Sequence, residues 1–325
     1  YTAYIYNNSF KDFYCIDLNI FNKYKAKKYN SPSELTEEFY YKKDTSDRLN
    51  SKSMNIQKLL NTNIERCSKK LNILQKSLKK CKDKDSYKLC GELLTANIYM
   101  IKKGQKSIEV ENYYENGSHV NIKLNENKTP SENVQYYYKK YNKLKRTEKE
   151  ASLQLENTQK EIEYLQSVLS SIESCENYED IEEIKNELME TGYIKFKKNA
   201  KKKKEVKSKP IHKVSSEGID IYIGKNNFQN DYLTLHFANK HDIWMHVKKV
   251  PGSHVIVKFK DKILQKTLEE AALLAAHYSK ASSSSKVAVD YTEVKNVHKP
   301  NGAKPGMVIY YTNKTMYVNP QTIDN

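Results

Sequence analysis

The chain has 325 residues, enough for two domains, and its 38% apolar content is low for one compact globule of that size. Its 56 basic and 40 acidic residues leave a formal charge of +16, which favours a polyanionic partner such as RNA, DNA or a membrane surface. No apolar run approaches the roughly 20 residues of a membrane-spanning helix, and the N-terminus shows no secretion signal. We therefore expect a cytoplasmic protein without membrane insertion. The five cysteines are scattered and never spaced as CxxC, which argues against disulfides and against a zinc site.

Two long helices are predicted after an aromatic-rich start. Residues 1–45 are expected to be the end of a preceding domain, and a helical pattern begins at about Ser46. Apolar residues then recur every three or four positions, as in a coiled-coil seam. The first seam is Leu60, Ile64, Cys67, Leu71, Leu74, Leu78 and Cys81, and the second is Tyr141, Leu144, Glu148, Ala151, Leu155, Thr158, Ile162, Leu165, Leu169 and Ile172. Residues 46–194 are therefore predicted to form an antiparallel two-helix coiled coil, with a first helix about 50 Å long.

A small α/β tip is predicted between the two seams, over residues 83–130. Residues 83–103 read as a helix, and residues 107–124 read as a β-hairpin around the Asn116-Gly117 turn. Thr129 is a candidate cap for the second long helix, with Pro130 at its first position. After that helix, residues 178–190 are predicted to form a short acidic helix.

A lysine-rich linker is predicted at residues 195–217. Ten lysines stand there against two glutamates, so this segment supplies +8 of the total charge of +16. A run of like charges is expected to be disordered when free and can act simply as a solvated spacer. Alternatively, it is an electrostatic arm that meets phosphates and releases their counterions.

The C-terminal residues 218–325 are predicted to form a compact α+β module. Strands are expected at residues 219–223, 232–237, 243–247, 253–257, 286–291, 307–311 and 315–318, with one apolar helix at residues 267–280. One helix packed on a mostly antiparallel sheet accounts for this order. The whole chain is therefore predicted to be of the α+β class.

No reaction centre is visible, because the phosphate-loop, dinucleotide, zinc-protease and serine-hydrolase motifs are absent and the histidines lack metal-ligand spacing. We expect a protein that is not an enzyme and has no cofactor and no metal.

Polar residues of the module collect at turns, where amide, hydroxyl and ammonium groups suit RNA. The candidate RNA-binding residues are Lys225, Asn226, Asn227, Gln229, Asn230, Trp244, His246, Lys248, Lys249, Ser253 and His254, with Lys201, Lys202, Lys203 and Lys204 of the linker. The amides can instead hold a loop, and Trp244 and His246 can instead be structural. Alternation along the predicted strand puts Trp244, His246 and Lys248 on one face.

Several ordered motifs resemble one known family. The strings IYIGKNNFQNDYLT (221–234), DIWMHVKKVPGSHVIV (242–257), AAHYSKASSSSKVAVDYTEVKNVHKP (275–300) and GAKPGMVIYY (302–311) look like the C-terminal RNA-associated module of the NFACT proteins. Residues 31–52, 87–105, 131–146 and 161–169 resemble the coiled-coil and middle region of the same family. Met245 and Val250 replace the Leu and Ile common there, which are core-type changes.

The resemblance implies a role in ribosome quality control. Family members bind the large ribosomal subunit that holds a stalled peptidyl-tRNA, recruit tRNA and support untemplated C-terminal tailing, with alanine in bacteria. The family's N-terminal Asp-Arg motif is not in this chain, so we expect ribosome and tRNA binding rather than the full activity. Bacterial members are also described as fibronectin-binding surface proteins, and an adhesin is the alternative expectation.

Overall fold

The computed structural model describes residues 1–6, 9–18, 20, 24–115, 117–175, 177–195, 208–259 and 265–320. The chain divides into two compact units, the first formed by residues 1–63 and 163–325 and the second by residues 64–162. Helices and antiparallel sheets occur in both, so the predicted α+β class is confirmed. Among the described helices, none combines the length and the apolar character needed to cross a membrane.

The first unit begins with a small antiparallel sheet. Strands β1 (Thr2–Tyr6), β2 (Ser9–Tyr14) and β3 (Lys25–Lys28) pair in the order β2-β1-β3. Helix α1 follows as one element, Pro32–Cys81. It thus begins well before the predicted Ser46, because no glycine or proline interrupts residues 33–81 and because Leu35 and Phe39 bury their side chains in the core of this sheet.

The coiled-coil seams are confirmed by burial. Helix α3 runs over Pro130–Glu173, and every residue of the two predicted seams is buried or half-buried in α1 or α3. The Thr129 hydroxyl accepts a hydrogen bond from the Glu132 amide at 3.3 Å, and the Glu132 carboxylate accepts one from the Thr129 amide at 2.7 Å. This reciprocal pair is a capping box, so the predicted start of α3 is also confirmed.

The second unit carries the predicted tip. Helix α2 (Lys84–Ala96) leads through a short 3₁₀ turn (Ile98–Met100) to a hairpin of β4 (Ser107–Asn112) and β5 (Ser118–Lys123). Gly91 of α2 faces the ring of Tyr138, and a Cβ on this glycine would lie 3.2 Å from that ring. A side chain at position 91 would therefore require the Tyr138 ring to shift by a few tenths of an ångström.

The C-terminal part of the first unit is a six-stranded antiparallel sheet in the order β13-β10-β8-β9-β7-β6. Its strands are β6 (Ile211–Val214), β7 (Asp220–Ile223), β8 (Ile243–Val247), β9 (Val255–Val257), β10 (Val287–Glu293) and β13 (Lys314–Val318). Helix α6 (Gln265–His277) covers one face with its alanines. A separate two-stranded sheet is formed by β11 (Val297–His298) and β12 (Ile309–Tyr310), which lie between β10 and β13 in the chain.

One sequence expectation is wrong here. The sequence predicts a strand over residues 232–237, but helix α5 (Asn227–Tyr232) continues into a π-helical turn (Leu233–Phe237). Burial explains this, because Leu233 and Thr234 are both buried and the next two residues are both exposed, whereas a strand would alternate. The predicted linker also contains a strand, since β6 pairs with β7. Residues 196–207 of that linker lie outside the described residues.

Shortening one buried seam residue should destabilise the first unit. Leu60 is fully buried, so Leu60→Ala is expected to lower the free energy of unfolding by about 2–5 kcal/mol through lost apolar contact and a residual cavity. Leu153 lies on α3 with 60% of its surface exposed, and Leu153→Ala should change stability by less than about 0.5 kcal/mol. Urea denaturation followed by circular dichroism measures both. Equal effects of the two substitutions would contradict the seam.

Candidate nucleic-acid interface

A short acidic helix fixes the polar segment that sequence reasoning assigned to RNA. Helix α4 (Tyr178–Glu190) places Asp180, Glu183 and Glu187 on one side, three and four residues apart. The Glu183 carboxylate accepts hydrogen bonds from Asn226 Nδ2 at 2.6 Å and from Gln229 Nε2 at 2.9 Å. The side-chain amides of Asn226 and Gln229 are thus hydrogen-bonded to α4.

Glu187 makes the deepest of these contacts. Its Oε1 accepts hydrogen bonds from Asn227 Nδ2 at 2.9 Å and from the Tyr164 hydroxyl at 2.8 Å. Asn227 Nδ2 also reaches the Ser167 hydroxyl at 3.0 Å, which ties α3 to the same point. The second carboxylate oxygen, Oε2, has no hydrogen-bond partner within the described part of the chain. Burial raises the pKa of Glu187 from its ordinary 4.5 to about 7.

The structure therefore places the predicted RNA-binding amides inside the protein. Asn226, Asn227, Gln229 and Asn230 are all buried, and Lys225 is half-buried with its Nζ 3.3 Å from Asp180. They hold the segment in shape, which was the alternative left open above. A sequence signal existed, because Asn226 followed by Gln229 has the spacing of a helix cap. The Asn226 side chain does accept a hydrogen bond from the Gln229 amide at 2.9 Å.

Close backbone packing supports this segment. A Cβ on Gly224 would lie 2.2 Å from Asn230 Oδ1, and that oxygen accepts a hydrogen bond from the His254 amide at 3.0 Å. Glycine at position 224 is therefore required by space.

Trp244 and the two candidate histidines form an aromatic cluster. The Trp244 ring is fully buried, stacks on His246 with centroids 5.8 Å apart, and meets His254 edge-on at 5.2 Å. Burial lowers the pKa of His246 to about 4 and that of His254 to about 3, so both rings are neutral at pH 7. Thr234 Oγ1 lies 2.7 Å from His254 Nδ1. Trp244 and His254 are therefore core residues, and neither ring is presented to solvent.

Three other candidates lie at or near the surface. Lys248 and Lys249 are exposed, and Lys249 takes a left-handed backbone conformation with φ of 56°. Lys248 Nζ lies 3.5 Å from Asp290 and 3.3 Å from the Thr315 hydroxyl. Ser253 is half-buried, and its backbone amide donates a hydrogen bond to the Tyr278 carbonyl. Lys201, Lys202, Lys203 and Lys204 lie outside the described residues.

Sequence reasoning missed Tyr317 and Lys286, which lie at the same end of the sheet as Lys248. On β13, Tyr317 is 63% exposed, and Lys286 Nζ stands 5.1 Å from the centre of its ring. The signal was available, because Met316 and Val318 alternate with Thr315 and Tyr317 along a strand. Met316 and Val318 pack into the core under α6, so Tyr317 faces the other side.

A pH-dependent stability difference follows from the environment of Glu187. The folded chain retains a proton on Glu187 that the unfolded chain releases between pH 4.5 and 7, so this contribution to stability is lost as pH rises through that window. Glu187→Gln keeps the shape and removes the titration. Its free energy of unfolding, relative to the unsubstituted chain, should therefore rise by up to about 3 kcal/mol between pH 4.5 and pH 8. Urea denaturation at four pH values measures it.

The matched control is Glu190→Gln, at an exposed position of the same helix. The opposite pH dependence of His246 and His254 is common to all three chains and cancels in the difference. Parallel stability curves for Glu187→Gln and the unsubstituted chain would show that Glu187 is charged in the fold.

The chain matches known proteins over nearly its whole length. Residues 1–207 match the NFACT N-terminal and middle domains, and residues 209–312 match the NFACT protein RNA binding domain. A relative named Rqc2 homolog RqcH, from Bacillus subtilis, is 41% identical over 311 residues, which cover 95% of this chain and 54% of that protein. The protein of the same name from Streptococcus suis is 37% identical over 293 residues, 90% of this chain and 52% of its own.

A solved structure agrees with these relatives. The C-terminal part of the fibronectin/fibrinogen-binding protein from Streptococcus suis superposes with a TM-score of 0.68 at 33% identity, covering 85% of this chain and 96% of that one. The present chain spans about half the length of the curated relatives it matches. With two family domains matched in order along it, the chain belongs to the NFACT family.

Proposed function

We propose that this chain is the RNA-binding and ribosome-docking part of a ribosome quality-control protein and performs no reaction itself. The observation that carries the proposal is the match of residues 209–312 to the family's RNA binding domain. The relatives named Rqc2 homolog RqcH support the quality-control role. The charge of +16 suits an RNA partner.

Basic charge is concentrated in the second unit as well as in the lysine-rich segment. Residues 65–84 hold eight basic against two acidic side chains, and residues 139–150 hold six against two. Lys139, Lys143 and Arg146 lie together on the surface of α3, with Asn142, Thr147 and Glu150. Phosphate contacts from such surfaces give affinity without sequence preference, which is what docking on a large RNA requires.

The finer parts of the proposal follow from the family resemblance. We extend it to the large ribosomal subunit with stalled peptidyl-tRNA as the docking partner, to tRNA as a second ligand and to the cytoplasm as the location. Untemplated tailing with alanine would belong to the complete protein, of which this chain supplies binding.

A second candidate function is fibronectin binding. The observation that favours it is the superposition on the Streptococcus suis chain, which comes from a fibronectin/fibrinogen-binding protein. Biolayer interferometry of this chain against immobilised fibronectin, with serum albumin as the control, tests it. Binding to fibronectin that persists at 0.5 M salt, where attraction between exposed charges is largely screened, would favour the adhesin.

RNA affinity should depend on salt and on the lysine-rich segment. Filter binding of tRNA and of large ribosomal subunits at 50 and 200 mM salt measures both effects. Replacing Lys201, Lys202, Lys203 and Lys204 by serine should weaken binding to all RNAs alike. It should also reduce the slope of log affinity against log salt by up to about 3, since each phosphate contact contributes roughly 0.7.

The control carries the same charge loss at scattered exposed sites, with Lys11, Lys43, Lys58 and Lys160 replaced by serine. A smaller effect of this control would place the affinity in the segment rather than in net charge. Binding that is absent at 50 mM salt, or equal at the two salt concentrations, would overturn the proposed RNA function.

A further inference from the structure

The face of the C-terminal sheet that is turned away from α6 has two different halves. Strand pairing sets Trp244 opposite Thr292, and His246 opposite Asp290, which in turn faces Thr315. In the next row, the Lys248 backbone amide donates a hydrogen bond to the Ala288 carbonyl. Ala288 is in turn paired with Tyr317 on the neighbouring strand. These residues alternate with Val247, Val289 and Met316, which pack under α6. The predicted common face of Trp244, His246 and Lys248 is thus confirmed.

One half of this face is covered. Leu233 and Val294 pack over Trp244, with Val297 and Tyr310, and close it from solvent. The Tyr310 hydroxyl donates a hydrogen bond to Asp290 at 2.9 Å, which ends the covered region. Beyond Asp290, within the part of the chain that the structure describes, the face is exposed at Lys248 and Tyr317.

The open half is a row of a cation, a small residue and an aromatic ring. The Lys248 side chain is 43% exposed, Tyr317 is 63% exposed, and Ala288 lies on the strand between them. Because alanine is short, it forms a low floor between two taller neighbours. Lys286 Nζ approaches the Tyr317 ring at 5.1 Å, within cation–π range.

The surroundings of this row carry positive charge without exposed acids nearby in sequence. Residues 246–254, 277–289 and 314–320 contain five lysines and no aspartate or glutamate. Backbone contacts bring residues 246–254 and 277–289 together. The Lys280 amide donates a hydrogen bond to the Pro251 carbonyl at 3.0 Å, and Gly252 forms a β-bridge with Ser279. Asp290, the nearest acid along β10, is 2% exposed and bonded within the protein.

Exposed hydroxyls adjoin the same end of the sheet. Residues 282–285 are four consecutive exposed serines held in turns, with the Ser284 amide bonded to the Ala281 carbonyl at 2.9 Å. Hydroxyl groups supply hydrogen bonds to phosphate and sugar oxygens. We name Lys248, Lys249, Lys280, Lys286 and Tyr317 the sheet platform.

We propose that the sheet platform binds unpaired RNA, with a base stacked on Tyr317 and the flanking phosphates held by the four lysines. A flat ring on an open sheet face accepts any base, and cations around it follow the backbone. Bases of an A-form duplex are stacked on each other and are not free to stack on a protein ring. This inference rests on the proposed RNA function and assigns to it a surface and a class of RNA.

Affinity for an unstructured 12-nucleotide RNA tests the platform, measured by fluorescence anisotropy with a 12-base-pair RNA duplex in parallel. Tyr317→Ala should weaken single-strand binding about tenfold, because one stacked base is lost, and Tyr317→Phe should restore it. Duplex binding should change less than twofold. Replacing Lys248 and Lys286 by serine should lower the salt slope by about 1.4.

Tyr114→Ala is the matched control, since this tyrosine is 70% exposed in the second unit. Circular dichroism of each variant reports whether the fold is kept. Unchanged single-strand affinity of Tyr317→Ala, an equal loss on duplex RNA, or a loss that Tyr317→Phe does not restore would each overturn the platform while leaving the proposed function standing. Absence of RNA binding by the unsubstituted chain would instead overturn the proposed function.

Discussion

Hydrogen bonds between the carboxylates of α4 and the amide side chains of residues 226–229 are the contact on which the first unit depends. Glu187 is buried and Glu183 is half-buried, so each carboxylate loses hydration that well-placed donors replace. Asn226, Asn227 and Gln229 supply those donors. Removing one partner would leave the other buried and unpaired, which costs roughly 1–3 kcal/mol per group. The contact therefore fixes where the sheet lies against α3 and α4 within this unit.

The same contact determines which residues remain for a ligand. An amide that already bonds a carboxylate inside the protein offers no donor to RNA, so the polar character of residues 225–230 is used for folding. Trp244 is used likewise, because its ring fills the space under Leu233 and Val294. On the strands next to Trp244, the side chains of Lys248 and Tyr317 are exposed, with Ala288 between them. Under the proposed RNA function, recognition would fall to these exposed residues rather than to the buried amides.

Periodicity made the long elements predictable, whereas partners distant in sequence did not follow from it. The seams of α1 and α3 obey a repeat that can be counted along the sequence, and the structure confirms each position. From the sequence, the amides of residues 226–229 are interpreted as ligand contacts. Their internal partners are not recognised, because these acids lie about forty residues earlier, on α4. Residues 233–237 depart from prediction for a related reason. Their leucine, threonine and phenylalanine suit a strand, but the buried pair Leu233 and Thr234 fits a helical turn over Trp244 and His254.

The described ends of the lysine-rich segment both contact helix α4. On its N-terminal side, the amides of Tyr193 and Ile194 donate to the Leu188 carbonyl of α4 at 2.8 and 3.0 Å. On its C-terminal side, the Ser208 hydroxyl donates to Glu183 of the same helix at 3.1 Å. Both described ends of the segment thus lie against the same helix, so α4 supports the start of the C-terminal sheet as well as the amides of residues 226–229.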